Sequence, residues 1–312
     1  MRRLCLLGLG AFLVPLCLPG PGLGAEAAAG MAPQLDLTYA IYAAGLHTAD
    51  LTARLTLAPD QYRVRMHFAT TGLYAIFAGG HTDTEVEGRF AKGQVQPLRF
   101  ESVGHWSSML RETVLDYTEG AAHLHPHVRV LAPPETDLRL PVPESLRVDR
   151  VDSVSAILLL LHRVNEGEGC AGDIGTFDGH ISAVISARDA GKDVVPVSGR
   201  SPYAGTAQRC DFEGHAVGGF LRADDAEEAN RHRHGTAWLA VPFPGAPILP
   251  IRLSFETAWI GSASMYLTTV TPLGADRPPP ADEATREARA LSGGEARAPT
   301  PPPVSARLPV AR

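Results

Sequence analysis

The stretch CAGDIGTFDGHISAVISARDAGKDVVPVSGRSPYAGTAQRC, residues 170–210, decides how the rest of the chain is interpreted. A cysteine stands at each end, and these two are the only cysteines after the N-terminal segment. Phe177-Asp178-Gly179 lies between them. Because Asp-Gly is a strong signal for a two-residue turn, residues 172–190 are predicted to form a β-hairpin that turns at this point.

The pairing of Cys170 and Cys210 depends on the compartment in which the protein folds. In an exported protein we expect a disulfide, and closing this loop would stabilise the fold by about 4 kcal/mol. In a reducing cytosol the same residues would be two separate buried thiols. No metal site is predicted here, because neither cysteine has a closely spaced Cys or His partner. No Cys-x-x-Cys redox motif is present either.

The first 27 residues are predicted to be a secretory signal peptide. Two arginines follow the first methionine, and Leu4–Leu18 forms an apolar segment interrupted by glycine and proline. That segment is shorter than the roughly 20 apolar residues that a membrane-spanning helix needs. Ala25-Glu26-Ala27 supplies a small-x-small cleavage site. We therefore expect a soluble protein of the periplasm that does not span the membrane, and the export favours the disulfide.

Composition limits the remaining possibilities. The chain has 312 residues, a formal net charge of -6 and 20% charged residues, so no basic field attracts nucleic acid. Residues 33–271 are expected to form a single β-rich domain. Residues 272–312 are rich in Pro, Ala and Arg and poor in large apolar residues, which predicts a disordered tail.

Alternation of apolar and polar residues is the main secondary-structure signal. It runs through Leu35–Ile41, Ala49–Leu57 and Tyr62–Phe68 with short turns between them. Strands with one apolar and one polar face are typical of an antiparallel sheet that is wetted on one side. The fold class predicted is mainly β: a long curved antiparallel meander, similar to half of a barrel, with one apolar helix on its concave face.

That helix is predicted over Ser153–Val164, with Asp152 as its N-cap. Its central residues 157–161 are all apolar, so it must be buried on most sides.

A second apolar run, Leu73–Phe77, lies between glycines. It is expected to be either a helical turn over the sheet or a mobile flap. Together with the predicted helix it could open an apolar groove, whose candidate ligand-facing residues are Leu73, Tyr74, Phe77, Leu158 and Leu161.

No catalytic residue, metal site or cofactor is predicted. His123, His125 and His127 alternate in sequence and could share one face of a strand, but Pro126 interrupts them, so we interpret them as solvated. His232-Arg233-His234 is likewise interpreted as surface. Asp178 is interpreted as a turn residue, and no Gly-x-Ser-x-Gly motif indicates serine hydrolysis.

The order of these features resembles a bacterial exported family, domain of unknown function 3108. The resemblance is carried by a series of short motifs in this order: Thr71-Gly72, Glu87-Gly88, Asp116-Tyr117, Asp152, Cys170, Phe177-Asp178-Gly179, Tyr203-Ala204-Gly205, Cys210 and Pro250-Ile251-Arg252. It implies an exported, mostly β envelope protein, supports the disulfide, and implies no activity.

Three functions remain after these arguments. The first is a periplasmic binding or carrier module for an apolar, lipid-like ligand, which the apolar face and the two apolar segments favour. The second is an envelope scaffold that interacts with other envelope proteins, for which the long polar strand face and the Pro/Arg-rich tail are the motives. The third, an envelope hydrolase, would need His105, Asp178 or His180 to meet in one cleft. Nothing in the sequence indicates an enzyme.

Overall fold

The structure is a computed structural model, and it describes residues 34–106, 109–118, 123–131, 139–222, 231–257 and 261–273. The predicted signal peptide and nearly all of the predicted tail lie outside these residues. Neither helix among the described residues is long and apolar enough to cross a membrane.

The described residues form thirteen β-strands and two α-helices. In chain order they are β1 (Gln34–Ala43), β2 (Leu46–Leu57), β3 (Gln61–Thr70), α1 (Gly72–Ala78), β4 (Gly80–Ala91), β5 (Gln94–Trp106), β6 (Met109–Tyr117), β7 (Pro126–Leu131), α2 (Ser153–Asn165), β8 (Gly172–Phe177), β9 (Ser182–Val195), β10 (Gly205–Gly218), β11 (Arg233–Ala240), β12 (Leu249–Glu256) and β13 (Ser262–Leu273).

All thirteen strands belong to one antiparallel sheet, in the order β7-β6-β5-β4-β3-β2-β1-β13-β12-β11-β10-β9-β8. Two meanders, β1–β7 and β8–β13, are joined where β1 pairs with β13. Strands β7 and β8 are therefore the two edges, and the segment that contains α2 connects them. The prediction of a mainly β antiparallel meander is confirmed.

The segment before α2 bridges the two edges of the sheet. Asp149 N donates to Leu124 O at 2.8 Å, next to the start of β7. Val151 N donates to Gly175 O at 3.2 Å, and Phe177 N donates to Val151 O at 2.9 Å, both on β8. Two backbone groups on the edge strand β8, Gly175 O and Phe177 N, thereby gain partners. One short segment therefore reaches both edges of the sheet, which is possible only because the sheet is curved.

Helix α2 lies on the concave face of the sheet, as predicted. Asp152 is its N-cap and accepts a hydrogen bond from Ser155 N at 2.8 Å. Packing against β4, β5 and β8 buries Leu158 and Leu159, whereas Ile157 points to solvent. Most of the helix surface is thus part of the main core.

The predicted disulfide between Cys170 and Cys210 is confirmed, with 6.1 Å between the two Cα atoms. Cys170 follows the end of α2, and Cys210 lies in β10. Both are buried, and they pack with Val164 and Leu239 in a small apolar cluster. The bond therefore ties the C-terminal end of the helix to the second meander.

Candidate functional site

A hollow lies on the concave face where β4, β5 and β6 run side by side. The inward positions there include a group of small side chains: Thr82, Thr84, Ser102, Gly104 and Thr113. One step along the strands the inward row is filled by the buried residues Val86, Phe100 and Leu115. The change from large to small residues leaves a cavity of about 490 Å³. Small-molecule sites in proteins have this size.

Apolar side chains form most of the wall of this cavity. Met66 and Phe100 lie on the sheet side, Met109 lies at the start of β6, and Ile181 lies in the β8–β9 turn. The indole of Trp106 donates from Nε1 to Thr82 Oγ1 at 3.2 Å, which fixes the orientation of the ring. A few placed polar groups in an apolar wall are typical of ligand pockets.

Charged groups are concentrated on one side of the cavity: Arg111, Arg139 and Asp178. The Asp178 carboxylate is used by its own turn, because Oδ1 accepts from His180 N at 2.9 Å and from Ile181 N at 2.7 Å. Arg139 donates from Nη1 to Gly219 O at 2.8 Å. Among the described residues that line this side, two guanidinium groups stand with one carboxylate, and a guanidinium group suits an anionic ligand.

The turn at Asp178-Gly179 brings the two ends of the sheet together. Gly179 has a φ of +93°, and a Cβ there would lie 2.4 Å from Thr113 Cγ2 on β6. Thr113 Oγ1 and His180 Nε2 are 3.2 Å apart. Glycine is therefore needed both for the backbone conformation and for the close approach. Asp178 and Gly179 form the turn, as predicted, and that turn is also one wall of the cavity.

A buried polar cluster lies beneath the N-terminus of α2. Ser155 Oγ donates to Asp152 Oδ2 at 2.6 Å, and it is 2.8 Å from the hydroxyl of Tyr62. The hydroxyl of Tyr117 is also buried and has no partner among the described residues. Burial raises the pKa of Asp152, and it raises the pKa of both tyrosines as well. Gly88 allows this packing, because a Cβ there would lie 2.3 Å from the Tyr62 hydroxyl.

The five residues predicted to face a ligand fall into two groups, and neither lines the cavity over β4–β6. Leu73, Tyr74 and Phe77 belong to α1, which has no buried residue, and Phe77 is 86% exposed. Leu158 and Leu161 line a smaller hollow of about 210 Å³ under the C-terminal half of α2. The apolar α1 is thus a helix, and its side chains are open to solvent.

Helix α1 lies close to the cavity over β4–β6, although no α1 residue lines that cavity. Helix α1 ends just before Gly80, and a Cβ on Gly80 would lie 2.4 Å from the ring of Trp106. Met109, which lines the cavity next to Trp106, is itself exposed. The exposed apolar residues of α1 therefore lie at the same end of the sheet as Trp106 and Met109.

Tyr203 and Gly205 prepare the start of β10. Tyr203 packs against the main core, and burial raises its pKa. Its backbone N donates to Ser201 Oγ at 3.1 Å, and Ser201 Oγ donates to Leu267 O at 2.6 Å. Gly205, at φ +113°, begins the strand. These residues anchor a loop and do not reach the cavity.

The predicted histidine row does not assemble into a site. His123 pairs with Asp149 at 2.9 Å, and His125 pairs with Glu144 at 3.1 Å. His105 lies on the outer face of β5, where it stacks on His81 with 4.8 Å between ring centroids. Asp178 and His180 therefore share the cavity, but His105 is on the opposite side of the sheet.

The cavity residues on the floor and at the charged side were missed from the sequence. Arg111 and Arg139 carry no local motif, because only the folded sheet brings them together. A signal for the hollow does exist in the alternation itself. At Thr82-x-Thr84 and Ser102-x-Gly104 the inward positions switch from apolar to small and polar. An inward row of that kind cannot fill a core.

The family described as "Protein of unknown function (DUF3108)" matches residues 38–268. The chain belongs to this family. Several residues that carried the resemblance to DUF3108 meet in space: Gly88, Tyr117 and Asp152 all lie at the buried polar cluster. Phe177-Asp178-Gly179 joins the ends of the sheet. The motif residues thus explain how the fold closes, and one of them, Asp178, also lines the cavity.

A similar solved structure is the "Beta-barrel-like Protein of Domain of Unknown Function DUF1849 from Brucella abortus". The two share 10% sequence identity and superimpose with a TM-score of 0.45 over 79% of this chain and 100% of the other. No curated protein matches the sequence.

Proposed function

We propose that this chain is an exported binding protein that carries an amphipathic, lipid-like ligand in the cavity over β4–β6. The observation that supports it most directly is that the concave face is hollow at this point. A dry core would be filled to a density that leaves few voids larger than a water molecule. Here the cavity of about 490 Å³ is walled by apolar side chains around a row of Thr, Ser and Gly.

The charge on one side of the cavity indicates which ligand class fits. Met66, Phe100 and Trp106 offer an apolar surface to a hydrocarbon chain. Arg111 and Arg139 lie at the charged side and suit a carboxylate or phosphate headgroup. A fatty acid or an acidic lipid has both parts, so it is the ligand that we propose.

Export is the second part of the proposal. Residues 1–27 have the features of a cleaved signal peptide, and disulfides persist in oxidising compartments such as the periplasm. The Cys170–Cys210 bond is consistent with such a location. A carrier there would meet acidic lipids from both membranes of the envelope.

The test uses two fluorescent probes, a long-chain fatty acid and the neutral alcohol of the same chain length. Saturable binding of one acid molecule per protein is the expected result. Ser102→Leu places a larger side chain on the cavity floor and should abolish binding of both probes. The matched control is Val103→Leu, which adds the same kind of side chain on the outer face of the same strand. It should leave binding unchanged.

A second substitution separates the headgroup from the chain. Arg111→Gln should weaken binding of the acid at least tenfold and leave the affinity for the alcohol nearly unchanged. Absence of saturable binding by both probes would contradict the carrier function. Equal binding by Ser102→Leu and by wild type would show that any binding takes place outside the cavity.

The other two predicted functions have less support. The scaffold function has two motives, the polar strand face and the tail, and the tail lies outside the described residues except for its first two. The hydrolase function gains only one feature, that Asp178 and His180 line the same cavity. Since the Asp178 carboxylate already accepts two backbone N–H groups, we do not propose it as a general base.

A further inference from the structure

A compact group of histidine and glutamate side chains lies on β10 and just before β11, away from the cavity floor on β4–β6. Glu213, His215 and His232 each offer one ligand atom, and these atoms lie within 4.8 Å of one another. The rings of His215 and His232 are parallel, with 4.4 Å between centroids and an interplanar angle of 5°. Oε1 of Glu213 is 2.5 Å from Nδ1 of His232.

The strand register brings these residues together. Glu213 is paired with His234 across the β10–β11 ladder, and Gly214 is paired with Arg233. The next pair outward would be His215 and His232, in agreement with their stacked rings. Side chains two residues apart on a strand share a face, so Glu213-x-His215 on one strand opposes His232-x-His234 on the other. The sequence contains both halves of this pattern.

The surroundings favour a cation. The hydrogen bond from His232 lowers the pKa of the Glu213 carboxyl. A third imidazole is also near the carboxylate, since Nδ1 of His234 lies 3.5 Å from Glu213 Oε2. Glu256 accepts from the backbone N of His234 at 2.9 Å and adds a second negative charge nearby. Arg188 is the cation that also acts on Glu213.

We propose that Glu213, His215 and His232 bind a zinc ion. Two imidazoles and one carboxylate form a known zinc ligand set, and they leave a fourth position for water or another ligand. Tetrahedral ligands at zinc distances of 2.0–2.2 Å lie roughly 3.3 Å apart, which is within the spread of these ligand atoms. Because zinc lies in the plane of each imidazole that binds it, the two rings must turn out of their parallel stack to share the ion. His234 stands next to Glu213 and can orient the carboxylate.

Zinc would replace an existing contact at this site. The ion would take the place of the hydrogen bond between Glu213 Oε1 and His232 Nδ1, since both atoms would become ligands.

The experiment is a titration of the chelator-treated, full exported protein with Co²⁺ followed by displacement with Zn²⁺. We expect one Co²⁺ per chain, with the visible absorption of a low-coordinate site that Zn²⁺ removes. His215→Ala, His232→Ala and Glu213→Gln should each weaken Zn²⁺ binding at least tenfold. Zn²⁺ should also raise the melting temperature of wild type and not of these variants, because it binds the folded state.

The matched control is His105→Ala. It removes one ring of another stacked histidine pair, His81 and His105, at 4.8 Å on a different part of the sheet. Its zinc affinity and stoichiometry should equal those of wild type. The site would be overturned by unchanged Zn²⁺ binding in His215→Ala and His232→Ala. It would equally be overturned by a loss of binding in His105→Ala as large as theirs.

Discussion

Nε2 of His180 lies 3.2 Å from Oγ1 of Thr113, although the two residues are 67 positions apart in sequence. His180 belongs to the turn between β8 and β9, and Thr113 belongs to β6. This contact joins the two ends of a thirteen-stranded sheet at the edge of the proposed ligand cavity. The closure of the sheet and the shape of the cavity therefore depend on the same turn.

The first prediction concerns Gly179. Gly179→Ala should destabilise the protein, because its φ is +93° and the new Cβ would lie 2.4 Å from Thr113 Cγ2. A strained backbone conformation of this kind costs about 1–3 kcal/mol, and the steric contact adds to that cost. Urea unfolding of wild type and variant measures the difference.

Gly191→Ala is the matched control for Gly179→Ala. Gly191 also has a positive φ, +76°, but nothing lies within 4 Å of the position that its Cβ would take. The stability that Gly179→Ala loses beyond the loss at Gly191→Ala is therefore due to the steric contact with Thr113. Adding Thr113→Ser to Gly179→Ala should restore that part, because serine lacks the methyl group. Equal costs at both glycines, with no recovery by Thr113→Ser, would contradict the close approach.

Local sequence patterns predicted the elements of this fold well, because the signals for them are short-range. The pair Lys92-Gly93, with φ values of 54° and 71°, makes the tight β4–β5 turn, and a glycine at such a place is a short-range signal. Asp152 caps α2 through Ser155 N, as its position before the helix predicted. The pairing of β1 with β13 could not be predicted, since no local pattern says which strands are neighbours across 200 residues or more.

The candidate site was harder to predict, because it depends on where large apolar side chains are missing from the concave face. Apolar character alone pointed to Phe77 and Leu158; Phe77 is exposed, and Leu158 is buried beside the smaller hollow under α2. The cavity lies instead where small side chains such as Ser102 and Gly104 interrupt the apolar face. The zinc cluster needs the register of β10 and β11, which the sequence does not fix by itself.

The second prediction is a pH dependence from Asp152. Burial raises the pKa of its carboxyl, so the folded state holds the proton more tightly than the unfolded state. The stability that this proton contributes is fully present below the unfolded pKa of about 3.9, and it is lost as the pH rises toward and through the folded pKa. Asp152→Asn should therefore gain stability relative to wild type as the pH rises from about 3 to about 7. Urea unfolding of both proteins across this range measures the difference.

Asp149→Asn is the control with the opposite sign. The hydrogen bond from His123 lowers the pKa of Asp149, so its contribution is present above the unfolded pKa and is lost as the pH falls. Asp149→Asn should lose stability relative to wild type as the pH rises through this range. A pH-independent difference between Asp152→Asn and wild type would mean that its hydrogen bonds from Ser155 fully offset the burial.

The third prediction concerns the disulfide. Replacing Cys170 and Cys210 with alanine should lower the free energy of unfolding by about 2–5 kcal/mol, because the unfolded chain loses a crosslink. Reduction of the wild-type protein should have a similar effect, and reduction of the variant should have none. Protein taken from its native compartment should resist thiol alkylation until it is reduced. Rapid alkylation of both cysteines in that material would contradict export into an oxidising compartment.

The last prediction separates the stability of the protein from its exchange of ligand, and it rests on the proposed carrier function. Phe77 is 86% exposed on α1, so Phe77→Ser should change the free energy of unfolding by no more than about 0.5 kcal/mol. Leu158→Ala, in the packed core, should cost about 2–5 kcal/mol.

Because α1 ends beside Trp106 at one end of the cavity, its apolar side chains can contact a lipid surface while the ligand enters. Phe77→Ser should therefore slow the transfer of the fluorescent fatty acid from vesicles to the protein, with the equilibrium affinity for the free acid unchanged. Stopped-flow transfer from vesicles, followed against vesicle concentration, measures the rate. A transfer rate equal to that of wild type would assign α1 no role in ligand uptake, whereas a loss of equilibrium affinity would place Phe77 in the binding site itself.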